Sequence, residues 1–367
     1  MIKFIRSVYI KVLGLKFDRN IDIIIHPSAS DKEKEVMRRV DFFLHNYKFN
    51  YRVKYKDNLP KVIFTPTFAV GFSDTDFHEK AFRGYFYNID YDKNPLEAWE
   101  YHFLLTFINK KIDYNSYKQK LKSFYDKCQD EFNYDKAYMF GTGPSLEKAI
   151  DRKWGDGFRI VCNTIVKDKE LWTHLQPHVI TAGDAIYHYG IGKFAMNFRR
   201  DLKQRLNETS AIFIYPDIFH AFCVREFAGL ENRLFPVPQS QYSAINYNLF
   251  ADYHLPKLPN VLVFLLLPIS CTFSKTVYMW GFDGRAPKDK DFWKNSDKQF
   301  YQDDVPELKK LHPAFYDKQI PKNDEESYVK RVHGDDLDNA LTEAEEKGYK
   351  FVMMHHTYTP VLAKRMQ

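Results

Sequence analysis

The 367-residue chain has no C-x-x-C pair, no Walker loop of the glycine-lysine-serine/threonine kind, no internal repeat and no low-complexity tract. Its four cysteines, Cys128, Cys162, Cys223 and Cys271, are scattered and have no secretory signal ahead of them. That usage excludes a disulfide framework and points to a reduced, cytosolic setting. Metal-ligand spacing is missing too. His355 and His356 are adjacent and diverge on a strand, and Asp303-Asp304 and Asp335-Asp336 lack a spaced partner. D-x-D pairs at Asp74/Asp76, Asp289/Asp291 and Asp336/Asp338 are what chance supplies among 48 acidic residues, so no metal is expected. A net charge of +6 without a long basic run argues against nucleic-acid binding and remains compatible with an anionic substrate or membrane surface.

A membrane span is not expected either. The apolar opening, residues 1–19, is broken by Lys3, Arg6, Lys11 and Lys16, and is too short and too charged to cross a bilayer. On a helix, Ile2, Ile5, Val8, Tyr9, Val12 and Leu13 would share one face flanked by cations. Two readings follow: a peripheral contact with the inner face of the cytoplasmic membrane, or a first core helix with solvated lysines.

What the chain does have is core material. Hydrophobic residues make up 44%, with 32 Phe and 25 Tyr, enough to fill two domains or one large one with an appendage. Residues 1–132 read as an N-terminal α/β and helical appendage: a strand at 21–26, a helix at 31–47 opened by Ser30 and Asp31, a strand at 61–66 and helical periodicity from Pro95 to about Asp130. Residues 133–367 read as a Rossmann-like domain, with strands at 158–162, 178–181, 211–215, 276–280 and 350–354 alternating with helices at 145–152, 192–206 and 335–347. Such alternation predicts an α/β fold with a parallel sheet flanked by helices. Pro268 should kink the apolar helix that begins near Asn260, and residues 285–330, which lack a period, read as a lid or acceptor-binding excursion.

The most informative segment is Y-M-F-G-T-G-P-S-L at 138–146, an apolar strand running through a glycine-flanked turn into a helix. Gly141 and Gly143 permit close backbone approach, Pro144 presets the first helical turn, and Ser145 offers a hydroxyl beside N–H groups expected to be free for an anion. The turn lacks the third glycine of the dinucleotide fingerprint. In an open parallel sheet ligands bind beyond the carboxyl ends of strands. The polar residues there are Thr142 and Ser145, Asn163 and Thr164, Asp184 beside Gly183, Asp217, and Asp283, each also able to serve as a simple turn residue. His333, before an acidic helix start, is the first candidate for a general base, and His312 the second.

In order, F-G-T-G-P-S-L, V-C-N-T, V-Y-M-W-G-F-D-G and a histidine before a final helix and strand resemble the bacterial sialyltransferases that build lipooligosaccharide caps. The related motility-accessory-factor glycosyltransferases share the pattern, over residues 136–356. The resemblance implies a Rossmann-like variant of the GT-A glycosyltransferase fold, no metal or other cofactor, a CMP-activated sugar donor and a glycan or glycoprotein acceptor. It also implies that Gly141, Thr142, Gly143, Pro144 and Ser145 hold the donor phosphate and ribose, that Asn163 faces the cytidine monophosphate, that Asn260 caps a helix facing the nucleotide, and that His333 deprotonates the acceptor. Two positions depart from the family. Thr142 stands where Asn is usual, and Arg285 stands where a phosphate-stabilising Tyr would follow the G-x-D turn, which leaves the transferred sugar open. A guanidinium can pair two phosphate oxygens, so Arg285 is the expected stabiliser of departing CMP, with Tyr301 and Tyr316 as the phenols able to assist. Two alternatives stand beside this reading. One is a pterin pyrophosphokinase-like magnesium/ATP enzyme, whose turn is similar; the other is a non-catalytic nucleotide-binding module of an envelope-assembly complex.

Overall fold

A computed structural model of the protein describes residues 21–46, 50–59, 67–73, 86–89, 112–284, 295–312, 315–316 and 334–367. Residues 1–19, read as a membrane contact or a first core helix, the strand expected at 61–66 and residues 95–111 of the expected helical stretch lie outside them.

Two all-parallel sheets are present. The smaller contains β1 (Ile21–Ile25), β2 (Tyr51–Tyr55), β3 (Thr67–Val70) and β4 (Phe86–Ile89), in the order β2-β1-β3-β4, with helix α1 (Asp31–Asn46) between the first two in sequence. Every residue of β1 is buried, as expected for a central parallel strand covered on both faces. Asp22 is the polar member of β1, and Arg52 Nε and Lys54 Nζ on β2 donate to it at 2.9 and 2.7 Å. A capping box starts α1: Ser30 N–H donates to Glu33 Oε2 at 2.8 Å, and Glu33 N–H returns to Ser30 Oγ at 3.2 Å.

The larger sheet has seven strands: β5 (Lys136–Phe140), β6 (Phe158–Cys162), β7 (Val179–Thr181), β8 (Ile212–Pro216), β9 (Leu234–Val237), β10 (Thr276–Trp280) and β11 (Lys350–Met353). Their order is β11-β10-β5-β6-β7-β8-β9. The molecule is therefore an α/β protein with a Rossmann-like parallel sheet flanked by helices. Alternation along each strand divides its core: Phe140, Val161, Ile180 and Phe213 face one layer, while Met139, Ile160, Val179 and Ile212 face the other. The first layer holds α3 (Lys169–Leu175), α4 (Lys193–Glu208) and α5 (His220–Glu226), and the second includes α2 (Tyr114–Phe132), which inserts Leu121, and α6 (Leu267–Phe273).

Several elements differ from their sequence-based outlines. Edge strand β9 lies where the sequence outline has no strand; its Pro236 lacks a donor, which an edge position tolerates. The apolar helix is irregular as Pro268 predicts: residues 262–266 form a wide π turn before α6, because Pro268 has no N–H to continue the ladder. After β5 the helix is a 3₁₀ segment, Pro144–Asp151. Within the expected excursion at 285–330, residues 295–312 are docked, carrying α7 (Val305–Leu311) with Tyr301 and Leu308 buried against the first layer. The chain closes with α8 (Asp336–Glu346), β11 and α9 (Pro360–Ala363). Among the described residues no helix is long and apolar enough to cross a membrane.

Candidate functional site

Strand order locates the site. From β5 the chain adds β6 to β9 outward in one direction, then returns to place β10 on the other side of β5. The ends of β5 and β10 thus mark the switch point, the place at which open parallel sheets form their ligand crevices. Phe140 pairs with Trp280 in register, so Gly141 and Gly281 emerge side by side.

The turns after these strands interlock through backbone. Gly141 N–H donates to Trp280 O at 2.8 Å and Gly143 N–H to Gly281 O at 2.9 Å. Close approach explains the glycines: a Cβ at 141 would stand 2.5 Å from Gly281 O, and one at 143 would stand 2.2 Å from Asp283 Oδ2. Gly281 needs its freedom twice over, because its φ is +82° and a Cβ there would meet Gly141 O at 2.3 Å.

Asp283 closes the arrangement. Its carboxylate accepts Ser145 N–H at 3.1 and 3.2 Å and Ser145 Oγ–H at 2.9 Å. The N–H groups of Gly141, Gly143 and Ser145, expected to be free for a ligand anion, are therefore taken up inside the protein, and a carboxylate stands at the start of the 3₁₀ segment. The backbone of Asp283 is fixed as well, with its carbonyl accepting from Tyr358 N–H at 2.7 Å and Thr357 Oγ1–H at 3.1 Å.

His355 is the third member of this cluster, and the sequence reading passed over it. Its Nε2 accepts Gly281 N–H at 2.9 Å and lies 3.0 Å from Ser145 Oγ, while Nδ1 lies 2.7 Å from His356 O. Those partners require the neutral ring with its proton on Nδ1. Burial pulls its pKa below the usual value, against the nearby Asp283 carboxylate. Applying the strand-end rule to β11 as well as β10 would have found it, since His355 follows Met353 by two positions.

The neighbouring strand ends supply the rest of the crevice. Asn163, directly after β6, takes φ +51°, a left-handed conformation that Asn tolerates better than most residues. Asp184, after β7, accepts Ile186 N–H at 2.9 Å and Tyr187 N–H at 3.1 Å. It keeps an exposed surface, and the protein around it raises its carboxyl pKa by desolvation. Tyr187 Oη meets Tyr316 Oη at 2.9 Å beside it. Burial pushes the Tyr316 phenol up to about 12 and raises Tyr187 as well, so both remain hydrogen-bond donors at neutral pH. Thr142 Oγ1 donates to Asn295 Oδ1 at 3.0 Å, and Ser296 N–H donates to Thr142 O at 2.9 Å, so residues 295–296 close one side of the turn.

Other described candidates have partners inside the protein. Tyr301 is buried and donates to Asp201 Oδ2 at 2.6 Å, so its phenol is committed to the core. His312 is 1% exposed, which removes it as a base meeting substrate. Asp217 accepts Tyr114 Oη–H at 2.6 Å in a pocket of phenols under α2. Asn260 caps the apolar helix, its Oδ1 accepting Leu262 N–H at 2.9 Å. His333 and Arg285 lie outside the described residues.

Among the described residues no group of three or more His, Cys, Asp or Glu could hold a metal ion. A cavity of about 380 Å³ opens at the opposite end of the sheet, beside Tyr247, Lys275, Lys347 and Tyr349, and shares no residue with the switch-point cluster. No protein-family model, curated protein or solved structure matches this chain. The class that the fold defines is a Rossmann-like α/β protein, with polar residues following the strands at its switch point.

Proposed function

We propose that the chain is a glycosyltransferase that takes a sugar from a CMP-activated donor and moves it to a glycan or glycoprotein acceptor by single displacement, without a metal. The observation that carries this reading is the polar crevice at the β5/β10 switch point, where Thr142, Ser145, Asn163, Asp184 and Asp283 follow strands of one parallel sheet. The order of motifs along residues 136–356 supports a nucleotide-sugar enzyme over other users of such a crevice.

In this reading the chemistry divides between two sides. Displacement at an anomeric carbon needs a base at the acceptor hydroxyl and charge stabilisation at the departing phosphate. His333 is the proposed base. Arg285, two residues after Asp283 in sequence, is the proposed cation for the phosphate. Of the two phenols considered as helpers, the Tyr301 hydrogen bond to buried Asp201 favours Tyr316, whose hydroxyl stands with Tyr187 beside Asp184.

The test begins with donor hydrolysis, which needs no knowledge of the acceptor. A panel of CMP- and UDP-activated sugars, with and without EDTA, should show chelator-insensitive turnover of a CMP-sugar. His333→Ala should abolish transfer and leave CMP affinity nearly intact. Magnesium-dependent binding of ATP, with no response to cytidine nucleotides, would move the assignment to the pyrophosphokinase alternative.

A further inference from the structure

We infer that the 141–145 turn recognises the ribose hydroxyls of the nucleotide through Asp283, and that the donor phosphate lies away from this turn. The inference rests on the nucleotide-binding reading above and changes which part of the ligand the turn meets.

The argument is a balance of donors and acceptors. An anion site needs N–H groups or cations aimed at empty space. Here Gly141 N–H and Gly143 N–H bond the carbonyls of Trp280 and Gly281, and Leu146 N–H bonds Gly143 O. Ser145 N–H is held by Asp283, and Gly281 N–H by His355. Of the turn's amides that leaves that of Thr142, and the side chains beside it are acceptors. Asp283 is a carboxylate, and His355 presents the lone pair of Nε2 rather than a proton. Ser145 has one hydroxyl proton and two acceptors for it, Asp283 Oδ2 at 2.9 Å and His355 Nε2 at 3.0 Å. A phosphate placed against this surface would meet the Asp283 carboxylate at short range with at most the single Thr142 amide of the turn to receive it.

A diol is the complementary partner. A carboxylate has about four lone-pair positions, and the only described donors on that of Asp283 are the N–H and hydroxyl of Ser145. The residue is only partly buried, and its carboxylate has acceptor positions beyond those that Ser145 takes. Preorganisation is complete before ligand arrives: the Asp283 carbonyl is pinned by Thr357 and Tyr358, and Gly143 leaves the side chain room. A fixed carboxylate beside a parallel-sheet turn is the group that accepts ribose hydroxyls in other nucleotide-binding α/β sheets.

The experiment uses the full chain and titration calorimetry with CMP, 2′-deoxy-CMP and 3′-deoxy-CMP. Removing a hydroxyl that donates to Asp283 should weaken binding by about tenfold to a hundredfold, the range for a hydrogen bond to a charged group. In Asp283→Ala, with folding checked by circular dichroism, the ribo-to-deoxy ratio should collapse toward one. Equal affinity of the wild-type chain for CMP and both deoxy analogues overturns the inference without touching the nucleotide site. Tighter CMP binding by Asp283→Ala, with the deoxy preference unchanged, also overturns it, because the turn's donors would then be serving phosphate. If no cytidine nucleotide binds the folded wild-type chain, the functional reading falls, and this inference with it.

Discussion

Ser145 and Asp283 stand 138 positions apart in sequence and are joined by the Ser145 hydroxyl at 2.9 Å and the Ser145 amide at 3.1 Å, both directed at one carboxylate. This pair ties the turn after β5 to the turn after β10, and so holds the mouth of the crevice in one shape. Because the bonds involve a charged acceptor in a partly desolvated site, they should be energetically coupled. A double-mutant cycle of Ser145→Ala and Asp283→Ala, read by urea unfolding, should give a coupling of about 1–3 kcal/mol. Simple additivity of the two single changes would count against the pair as a fastener.

Gly143 is required by its neighbour's side chain rather than by its own dihedral angle. An added methyl would lie 2.2 Å from Asp283 Oδ2, and 2.8 Å from Gly281 O. The backbone cannot yield without breaking the Gly143–Gly281 hydrogen bond, so Gly143→Ala should displace the carboxylate. The expected cost is about 1–3 kcal/mol of stability, as for other overpacked sites, together with loss of nucleotide affinity. A variant of wild-type stability and wild-type affinity would show that the turns can separate freely.

The two phenols should respond in opposite ways to loss of their hydroxyls. Tyr301→Phe leaves buried Asp201 without its 2.6 Å donor, though Arg200 Nε remains at 2.9 Å. It should lower stability by about 1–3 kcal/mol and leave nucleotide binding alone. Tyr316→Phe removes a half of the phenol pair at the crevice and should reduce transfer with little change in unfolding midpoint. Thermal melts and donor turnover on the two variants separate these outcomes.

Acid should loosen the fold through its buried imidazoles before most carboxylates titrate. Burial pulls His188 down to about 3, and His178 and His220 down to about 4, each from 6.5. Between roughly pH 6.5 and 4 the unfolded chain therefore binds protons at these positions that the folded chain refuses, and stability from them falls as pH drops through that window. Asp184 and Asp217, whose carboxyls burial raises, act with the opposite sign. Histidine resonances followed by NMR isolate the imidazole contribution: these three should keep their neutral shifts to below pH 5 while the urea midpoint declines from pH 7. Titration of all three near 6.5 would contradict the burial argument.

Much of the larger sheet was legible because its signals are local. The apolar runs of β6, β7, β8, β10 and β11, and the alternation with α4 and α8, are written in short-range pattern. Asn260 was readable as a cap because a side-chain oxygen before an apolar run has one common use, and its bond to Leu262 N–H has the expected form. Less was legible where pattern is weak. β9 is four residues long and contains Pro236, and β2 is five residues long with none of them buried and no alternation of burial.

The amino-acid order by itself determined the α/β class, the glycine-flanked turn and the acidic, amide and hydroxyl residues that follow the strands, since those depend on neighbours in the chain. Tertiary structure alone decided that β10 returns beside β5, that His355 joins Ser145 and Asp283, and that Tyr301 pairs with buried Asp201 while Tyr316 pairs with Tyr187. The physical reason is that hydrogen-bond donors are either satisfied or free only once strand register is fixed. The turn's amides looked available in sequence because the carbonyls and carboxylate that bind them come from a segment more than a hundred residues away.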